Sequence, residues 1–202
     1  VREKILPFWM NLKDEEQGGY YGYMDYDLNV DKQAVKGCIL NSRILWFFSN
    51  ACTCLKDPSL LPYAGHAYRF LKESCLDYQY GGLYWSVTYD GKAEDGTKHV
   101  YNQAFAVYAL SSYYEASGDE EALGIAWKLF GLIEEKGKDE GGYLEAFERD
   151  FETPAGNEKL SENGVMAGRT MNTGGGGGEA YTELYRVTGD GRVKKPLRDI
   201  LE

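Results

Sequence analysis

The chain has 202 residues, which is long enough for one domain with a sizeable core, and a formal net charge of −10. That charge argues against nucleic acids and anionic membranes as partners, because both attract basic surfaces. We expect no transmembrane span, no signal peptide and no zinc site, and the four cysteines, none in a CxxC pair, suit a reducing cytoplasm.

The composition is rich in aromatic residues, with 17 Tyr, 8 Phe and 4 Trp. Aromatic rings can stack on the CH faces of sugars, while acidic and other polar groups bind sugar hydroxyls. The composition therefore favours a carbohydrate site, and a large core with tyrosines at its rim is the alternative.

Three segments in which Gly-Gly precedes aromatic residues divide the chain. They are "GGYYGYMDYD" from Gly18, "GGLYWSVTYDG" from Gly81 and "GGYLEAFERDF" from Gly141, at spacings of 63 and 60 residues. Each alternates aromatic and small residues before an aspartate, which predicts a short strand entering a turn. Self-similarity at this spacing predicts a repeat architecture.

Each of these segments is followed by an asparagine that opens a helical pattern. The three patterns are "LNSRILWFFSNAC" from Leu40, "YNQAFAVYALSSYYEAS" from Tyr101 and "MNTGGGGGEAYTELYRVT" from Met171. Asparagine is a good N-cap, so we expect the helices to begin at these asparagines. The first two are apolar on nearly all faces and should be buried as inner helices.

Four other segments are more amphipathic than these, which predicts that they form outer helices. They are "EKILPFWMNLKD" from Glu3, "SLLPYAGHAYRFLKESCL" from Ser59, "DEEALGIAWKLFGLIEEKG" from Asp119 and the shorter "GRVKKPLRDILE" from Gly191. The sequence thus predicts an all-α fold of about three helix pairs with short β-hairpin loops. Three pairs make half of a closed ring of six, whose open edges would expose apolar surface. We therefore expect a second half-barrel as partner, by self-association or as part of a longer protein.

Five segments carry a resemblance to a known family: "ILPFWMNLKDEEQGGYYGYMDYDL", "KGCILNSRILWFFSNA", "YGGLYWSVTYDGK", "TKHVYNQAFAVYALSSYYEASGDEEAL" and "KLSENGVMAGRTMNT". Through them the chain resembles the N-acylglucosamine 2-epimerase family over essentially all 202 residues. The resemblance implies an (α/α)6 barrel, with residues 1–202 as the N-terminal half of that single domain and no second domain. It also places the active site where the inner helices begin.

The resemblance implies inversion at C2 of the reducing-end sugar, between glucose and mannose, in a disaccharide or monosaccharide substrate. A base removes the C2 proton of the open-chain aldose, and an acid returns a proton to the other face of the enediolate. Histidines suit both steps because their pKa lies near 7. The implied chemistry needs neither a metal nor an organic cofactor.

Residues 174–178 are five consecutive glycines, where the family reads approximately His-Leu-His-Val-Leu. The second of those histidines, an acid/base of the family, falls on Gly176. Glycine costs about 1 kcal/mol per residue in a helix relative to alanine. We expect that the five glycines are an engineered replacement or stand for side chains that were not assigned, rather than forming a natural flexible linker. As written, the chain should be inactive alone.

Three other positions match site residues of the family. Arg43, in an otherwise apolar helix, would bind a sugar oxygen or the enediolate; the alternative is a salt bridge within the chain. Tyr101 would contact the substrate, or else lie in the core. Asn172, one helical turn before Gly176, would bind a hydroxyl, although an N-cap role is also open.

For five further residues the sequence gives weaker reasons to expect a role in the site. Trp46 is expected in the core, and His66 is expected to be structural. His99 matches a loop residue of the family but neither catalytic histidine. Glu162 and Asn163, in the loop "LSENG", could line the site.

Three other functions compete with the epimerase. An aldose–ketose isomerase of the same superfamily would use the same enediolate and reprotonate a different carbon. A non-catalytic, engineered half-barrel would only self-associate. A glycosidase would need two carboxylates across the cleft, and no convincing pair is apparent.

Overall fold

The structure of the chain is a computed structural model that describes residues 1–152, 154–155 and 168–201. Seven α-helices lie in these residues: α1 (Ile5–Asn11), α2 (Cys38–Leu55), α3 (Leu61–Phe70), α4 (Val100–Ser117), α5 (Glu120–Lys136), α6 (Met171–Thr188) and α7 (Lys194–Leu201). None of the helices in the described part of the chain is long and apolar enough to cross a membrane.

The three long inner helices lie side by side, with α4 between α2 and α6. The outer helices α3, α5 and α7 pack behind α2, α4 and α6, respectively. Small residues of α4 such as Ala104, Ala106 and Ala109 are fully buried and let its neighbours approach closely. The predicted burial of the first two inner helices is confirmed, and so is the half of an (α/α)6 barrel.

Short strands connect the helices: β1 (Tyr23–Met24), β2 (Val30–Asp31), β3 (Lys36–Gly37), β4 (Ser86–Val87), β5 (Ala93–Asp95), β6 (Lys98–His99), β7 (Lys138–Asp139), β8 (Gly142–Tyr143) and β9 (Ala146–Phe147). The predicted strands after the Gly-Gly pairs are therefore present in all three copies. The second glycine of the pair has a left-handed backbone conformation, with φ of 67° at Gly19 and 73° at Gly82. A Cβ at Gly19 would lie 2.6 Å from Phe70 Cδ1, so both conformation and space require glycine.

Pairing between strands joins each repeat to the next. Strand β3, just before α2, pairs with β4 of the second hairpin, and β6, just before α4, pairs with β9 of the third. The backbone N–H of Cys38 donates to the carbonyl of Trp85 at 3.1 Å, and that of Val100 donates to the carbonyl of Glu145 at 3.0 Å. The first residue of an inner helix is thus held by the hairpin of the following repeat.

The prediction that asparagines cap the inner helices is wrong. The helices begin earlier, and the capping residues are Gly37, His99 and Thr170. Asn41 instead uses its amide oxygen to accept the backbone N–H of Tyr20 at 3.0 Å. This buried amide lies inside the helix, where it satisfies a backbone N–H of the preceding hairpin loop.

In the second repeat the equivalent contact is made by Gln103, whose side-chain oxygen accepts the backbone N–H of Leu83 at 2.6 Å. Its neighbour Asn102 instead donates from Nδ2 to the carbonyl of Tyr84 at 2.9 Å. Asn172 lies in the first turn of α6 and is exposed, so it serves neither as a cap nor as a buried loop partner.

A buried ion pair supports each of the first two repeats. Lys36 Nζ lies 2.7 Å from Asp14 and donates to the carbonyl of Gly18 at 2.8 Å. Lys98 Nζ lies 3.0 Å from Asp77. Burial alone would raise the pKa of Asp14, but the hydrogen bond from Lys36, with backbone N–H donors, outweighs burial and lowers it.

Replacing Lys36 by methionine should destabilise the chain by about 3–5 kcal/mol, because Asp14 would remain buried without a cation. Lys98→Met should cost less, because Arg149 Nε also lies 2.9 Å from Asp77 and remains as a partner. Urea unfolding of the two variants measures the difference. Equal losses would contradict this account, and adding Asp14→Asn to Lys36→Met should recover part of the lost stability.

Candidate functional site

Three of the four predicted site residues meet where the inner helices begin. Arg43 lies in the second turn of α2, Tyr101 in the first turn of α4 and Gly176 in the second turn of α6. Arg43 Nη2 donates a hydrogen bond to Tyr101 Oη at 2.8 Å. A Cβ at Gly176 would lie 2.9 Å from Tyr101 Cδ2. The Tyr101 ring therefore occupies space that a side chain at position 176 would use.

Phe105 completes this cluster and was not predicted from the sequence. The Arg43 guanidinium lies 4.6 Å from the centre of the Phe105 ring, within range of a cation–π interaction. A Cβ at Gly176 would lie 3.6 Å from Phe105 Cε2. The sequence could have indicated Phe105, because it lies one helical turn after Tyr101 and therefore on the same face of α4.

Arg43 belongs to an otherwise apolar helix that was predicted to be buried, but the structure leaves its side chain exposed on the concave face of the half-ring. Among the described residues it forms no ion pair with a carboxylate, so the alternative of an internal salt bridge is not what holds it. It borders an open cavity of about 620 Å³ that is lined by Trp9, Leu40, Arg43, Ile44, Trp46, Phe47, Phe105, Tyr108 and Glu179. A guanidinium beside aromatic rings in an open cavity can bind the oxygens of a sugar.

Asn172 lies one helical turn before Gly176, as the spacing predicted. The cap of α6 is Thr170, whose hydroxyl accepts the backbone N–H of Thr173 at 3.4 Å. Because Asn172 is exposed, its amide can reach a ligand above the start of the helix.

Both histidines are buried. His66 Nε2 is hydrogen-bonded to the carbonyl of Gly19 at 2.9 Å, and burial lowers its pKa, so the ring stays neutral at pH 7. His99 precedes α4, with its ring 4.4 Å from that of Trp85. These contacts suit structural roles. Glu162 and Asn163 lie outside the described residues.

Trp46 is only half-buried and lines the cavity as well as packing on Tyr108, with ring centres 5.6 Å apart. The expectation of a core position therefore holds for one side of the ring only. Across the described residues, no group of His, Cys, Asp and Glu is placed to hold a metal ion.

Glu145 is a second residue near the start of α6 that was not predicted from the sequence. It is buried, and its Oε2 accepts hydrogen bonds from the hydroxyls of Thr170 and Thr173, each at 2.8 Å. A signal was present in the repeats, because the equivalent positions in the first two copies are Gly22 and Trp85. An acid replaces them only in the copy that precedes α6.

Comparison with known proteins agrees with this architecture. Residues 19–166 match the profile of the N-acylglucosamine 2-epimerase (GlcNAc 2-epimerase) family. The chain therefore belongs to the N-acylglucosamine 2-epimerase family, whose fold is the barrel of paired helices described above.

Individual proteins of known name also match the chain. A cellobiose 2-epimerase of Eubacterium cellulosolvens is 61% identical over 173 residues, which is 86% of this chain and 42% of that protein. A cellobiose 2-epimerase of Ruminococcus albus is 54% identical over 198 residues, 98% of this chain and 51% of that protein. The crystal structure of a sugar epimerase from a ruminal bacterium superimposes with a TM-score of 0.95 at 53% identity, over 98% of this chain and 51% of that one. The chain thus spans about half the length of these relatives.

Alanine at Gly175 and at Gly176 should have different effects, although both positions lie inside α6. Nothing lies within 4 Å of a Cβ at Gly175, so Gly175→Ala should gain about 1 kcal/mol of stability from helix propensity. At Gly176 the same gain is offset, because the Tyr101 ring must move away from the new methyl group. Urea unfolding compares the two variants, and equal stabilisation would show that the Tyr101 ring does not fill this space.

Proposed function

We propose that this chain is the N-terminal half of a sugar 2-epimerase. The proposed enzyme interconverts glucose and mannose at the reducing end of β-1,4-disaccharides such as cellobiose, in the cytoplasm. The cluster of Arg43, Tyr101 and position 176 carries the proposal, because it lies on the open concave face where the inner helices begin. The relatives named cellobiose 2-epimerases support the choice of substrate.

The proposed reaction consists of two proton transfers at C2, one removing a proton and one donating a proton, and it leaves the oxidation state of the sugar unchanged. A base takes the proton from C2 of the open-chain aldose, and the electron pair moves into an enediolate. An acid then donates a proton to the opposite face of C2, which gives the epimer. Such proton transfers need groups with a pKa near 7, and histidine at position 176 of the family pattern is one of them.

Arg43 supplies the positive charge for this reaction. Its guanidinium can donate two hydrogen bonds to the developing enediolate oxygen, and it is held in place by Tyr101 Oη and the Phe105 ring. Tyr101 and Asn172 would bind sugar hydroxyls on either side. Donors that are already oriented cost little reorganisation when the charge develops, so Arg43 should act mainly on the transition state.

The 202 residues alone should not catalyse this reaction. Gly176 has no side chain to act as acid or base, and the second half of the barrel must supply the other acid/base. That half would come from the rest of a longer chain or from a second polypeptide. A half-barrel that only self-associates is the competing possibility, and its stability would rise with protein concentration.

Completing the barrel should restore activity. The completed enzyme carries His-Leu-His-Val-Leu at residues 174–178 and is joined to the C-terminal half of the Ruminococcus albus relative. Incubated with cellobiose in D2O, it should form the mannose-ended epimer with deuterium at C2, whereas the unchanged chain should exchange nothing. A ketose product would identify an aldose–ketose isomerase instead. A folded, completed barrel that forms neither product would overturn the proposed function.

In the completed barrel, Arg43→Ala should lower kcat/KM by roughly 10²–10³-fold, because the enediolate loses an oriented charge. Arg43→Lys should recover only part of this loss, since an ammonium cannot reproduce the paired donors of a guanidinium. Arg69→Ala, on the exposed side of the outer helix α3, is the matched control and should leave kcat/KM unchanged. Equal rates for Arg43→Ala and Arg69→Ala would remove Arg43 from the mechanism.

A further inference from the structure

Glu145 is a buried carboxylate that the proposed reaction does not use. Its side chain is only 2% exposed, and its contacts there are the hydroxyls of Thr170 and Thr173. Among the described residues no Lys or Arg pairs with it, and its Oε1 has no hydrogen-bond partner. An unpaired carboxylate oxygen inside a protein is costly, so this oxygen calls for a partner.

The position of Glu145 places that oxygen between two inner helices. Its backbone carbonyl accepts the N–H of Val100, the first residue of α4, and its own N–H donates to the carbonyl of Gly168 at 3.0 Å. Its Oε2 binds both Thr170 and Thr173 at the start of α6. Glu145 therefore joins the first turns of α4 and α6, beside the cluster that contains Arg43.

A side chain at position 176 would extend toward the same place. Thr173 and Gly176 are both buried and lie one turn apart on one face of α6. Helical side chains lean toward the N-terminus, so a side chain at 176 would lie over the turn that contains Thr173. Its Cβ would face Tyr101, the neighbour of Val100.

We propose that Glu145 is a positioning residue whose Oε1 accepts a hydrogen bond from the imidazole N–H of a histidine at position 176. The inference rests on the proposed function, since it takes the family's histidine as the group that position 176 should carry. The hydrogen bond would fix the tautomer and the plane of the ring, so that the other ring nitrogen faces the sugar. A neighbouring carboxylate also stabilises the imidazolium that forms when the ring takes the C2 proton.

Other charges act on the same imidazole. The Arg43 guanidinium, held on the other side of Tyr101, disfavours the imidazolium, and Glu179 lies one turn further along α6. The absolute pKa of the imidazole therefore depends on several groups. The effect of Glu145 is the difference that appears when its charge alone is removed.

The test installs Gly176→His in the chain and follows the new imidazole by NMR as a function of pH. Adding Glu145→Gln should lower the pKa of that imidazole by about one unit or more and change its tautomer, which ¹⁵N shifts report. The amide oxygen of glutamine can still accept from the threonines, so the fold should be kept. Glu148→Gln, at an exposed position in the same segment, is the matched control and should change neither the pKa nor the tautomer of the imidazole.

An imidazole whose pKa and tautomer are the same in the Glu145→Gln and Glu148→Gln variants would overturn the inference. If Gly176→His unfolds the chain by displacing Tyr101, the chain carrying His-Leu-His-Val-Leu at residues 174–178 takes its place with the same readout. The resonances of His66 and His99 serve as references within each sample. Because this readout needs no turnover, a failed epimerase assay and a failed role for Glu145 remain distinguishable.

Discussion

The joint between successive repeats is the constraint on which the rest of the structure depends. The strand before an inner helix pairs with the hairpin of the next repeat, and a carbonyl of that hairpin accepts the first N–H of the helix. Cys38 and Val100 are held in this way by Trp85 and Glu145. Because each joint fixes where an inner helix begins, the first turns of neighbouring helices are level, and side chains from different repeats meet there. The site is a consequence of this alignment.

Buried ion pairs hold the Gly-Gly loops beneath the first two joints. Asp14 and Asp77 each accept backbone N–H groups of their own loop and a lysine ammonium from the strand that precedes the inner helix. Such pairs contribute little net stability because desolvation offsets the attraction, but removing one partner is strongly destabilising because it leaves the other charge buried. In the third copy the equivalent pair, Asp139 and Arg169, is exposed. In that copy the buried carboxylate is Glu145, which accepts hydrogen bonds from the hydroxyls of Thr170 and Thr173.

The repeats and the inner helices could be predicted because each rests on a local pattern of apolar residues. The candidate site residues Arg43, Tyr101 and Gly176 were predicted only from the resemblance to the family, because local pattern does not distinguish them from other positions near the helix starts. The asparagine caps were predicted wrongly because Asn41 bonds to Tyr20 in the preceding loop, a contact that propensity does not encode. The ion pairs and Glu145 were missed for the same reason, since their partners come from segments more than twenty residues away. Local sequence specifies where helices and strands form. The hydrogen-bond partners of buried polar groups come from other helices and strands, so local sequence does not specify them.

The five glycines show that helix α6 forms without side chains over more than one turn. Helix α6 stays helical across residues 174–178, although the glycines cost about 1 kcal/mol each relative to alanine. The cost is opposed by the Thr170 cap and by Ala180, Tyr181 and Leu184, which are fully buried in the next turns. With no side chain at 176, the Tyr101 ring lies where that side chain would begin and still holds Arg43. The contact between Arg43 and Tyr101 at the helix starts is therefore kept in a chain that has no side chain at position 176.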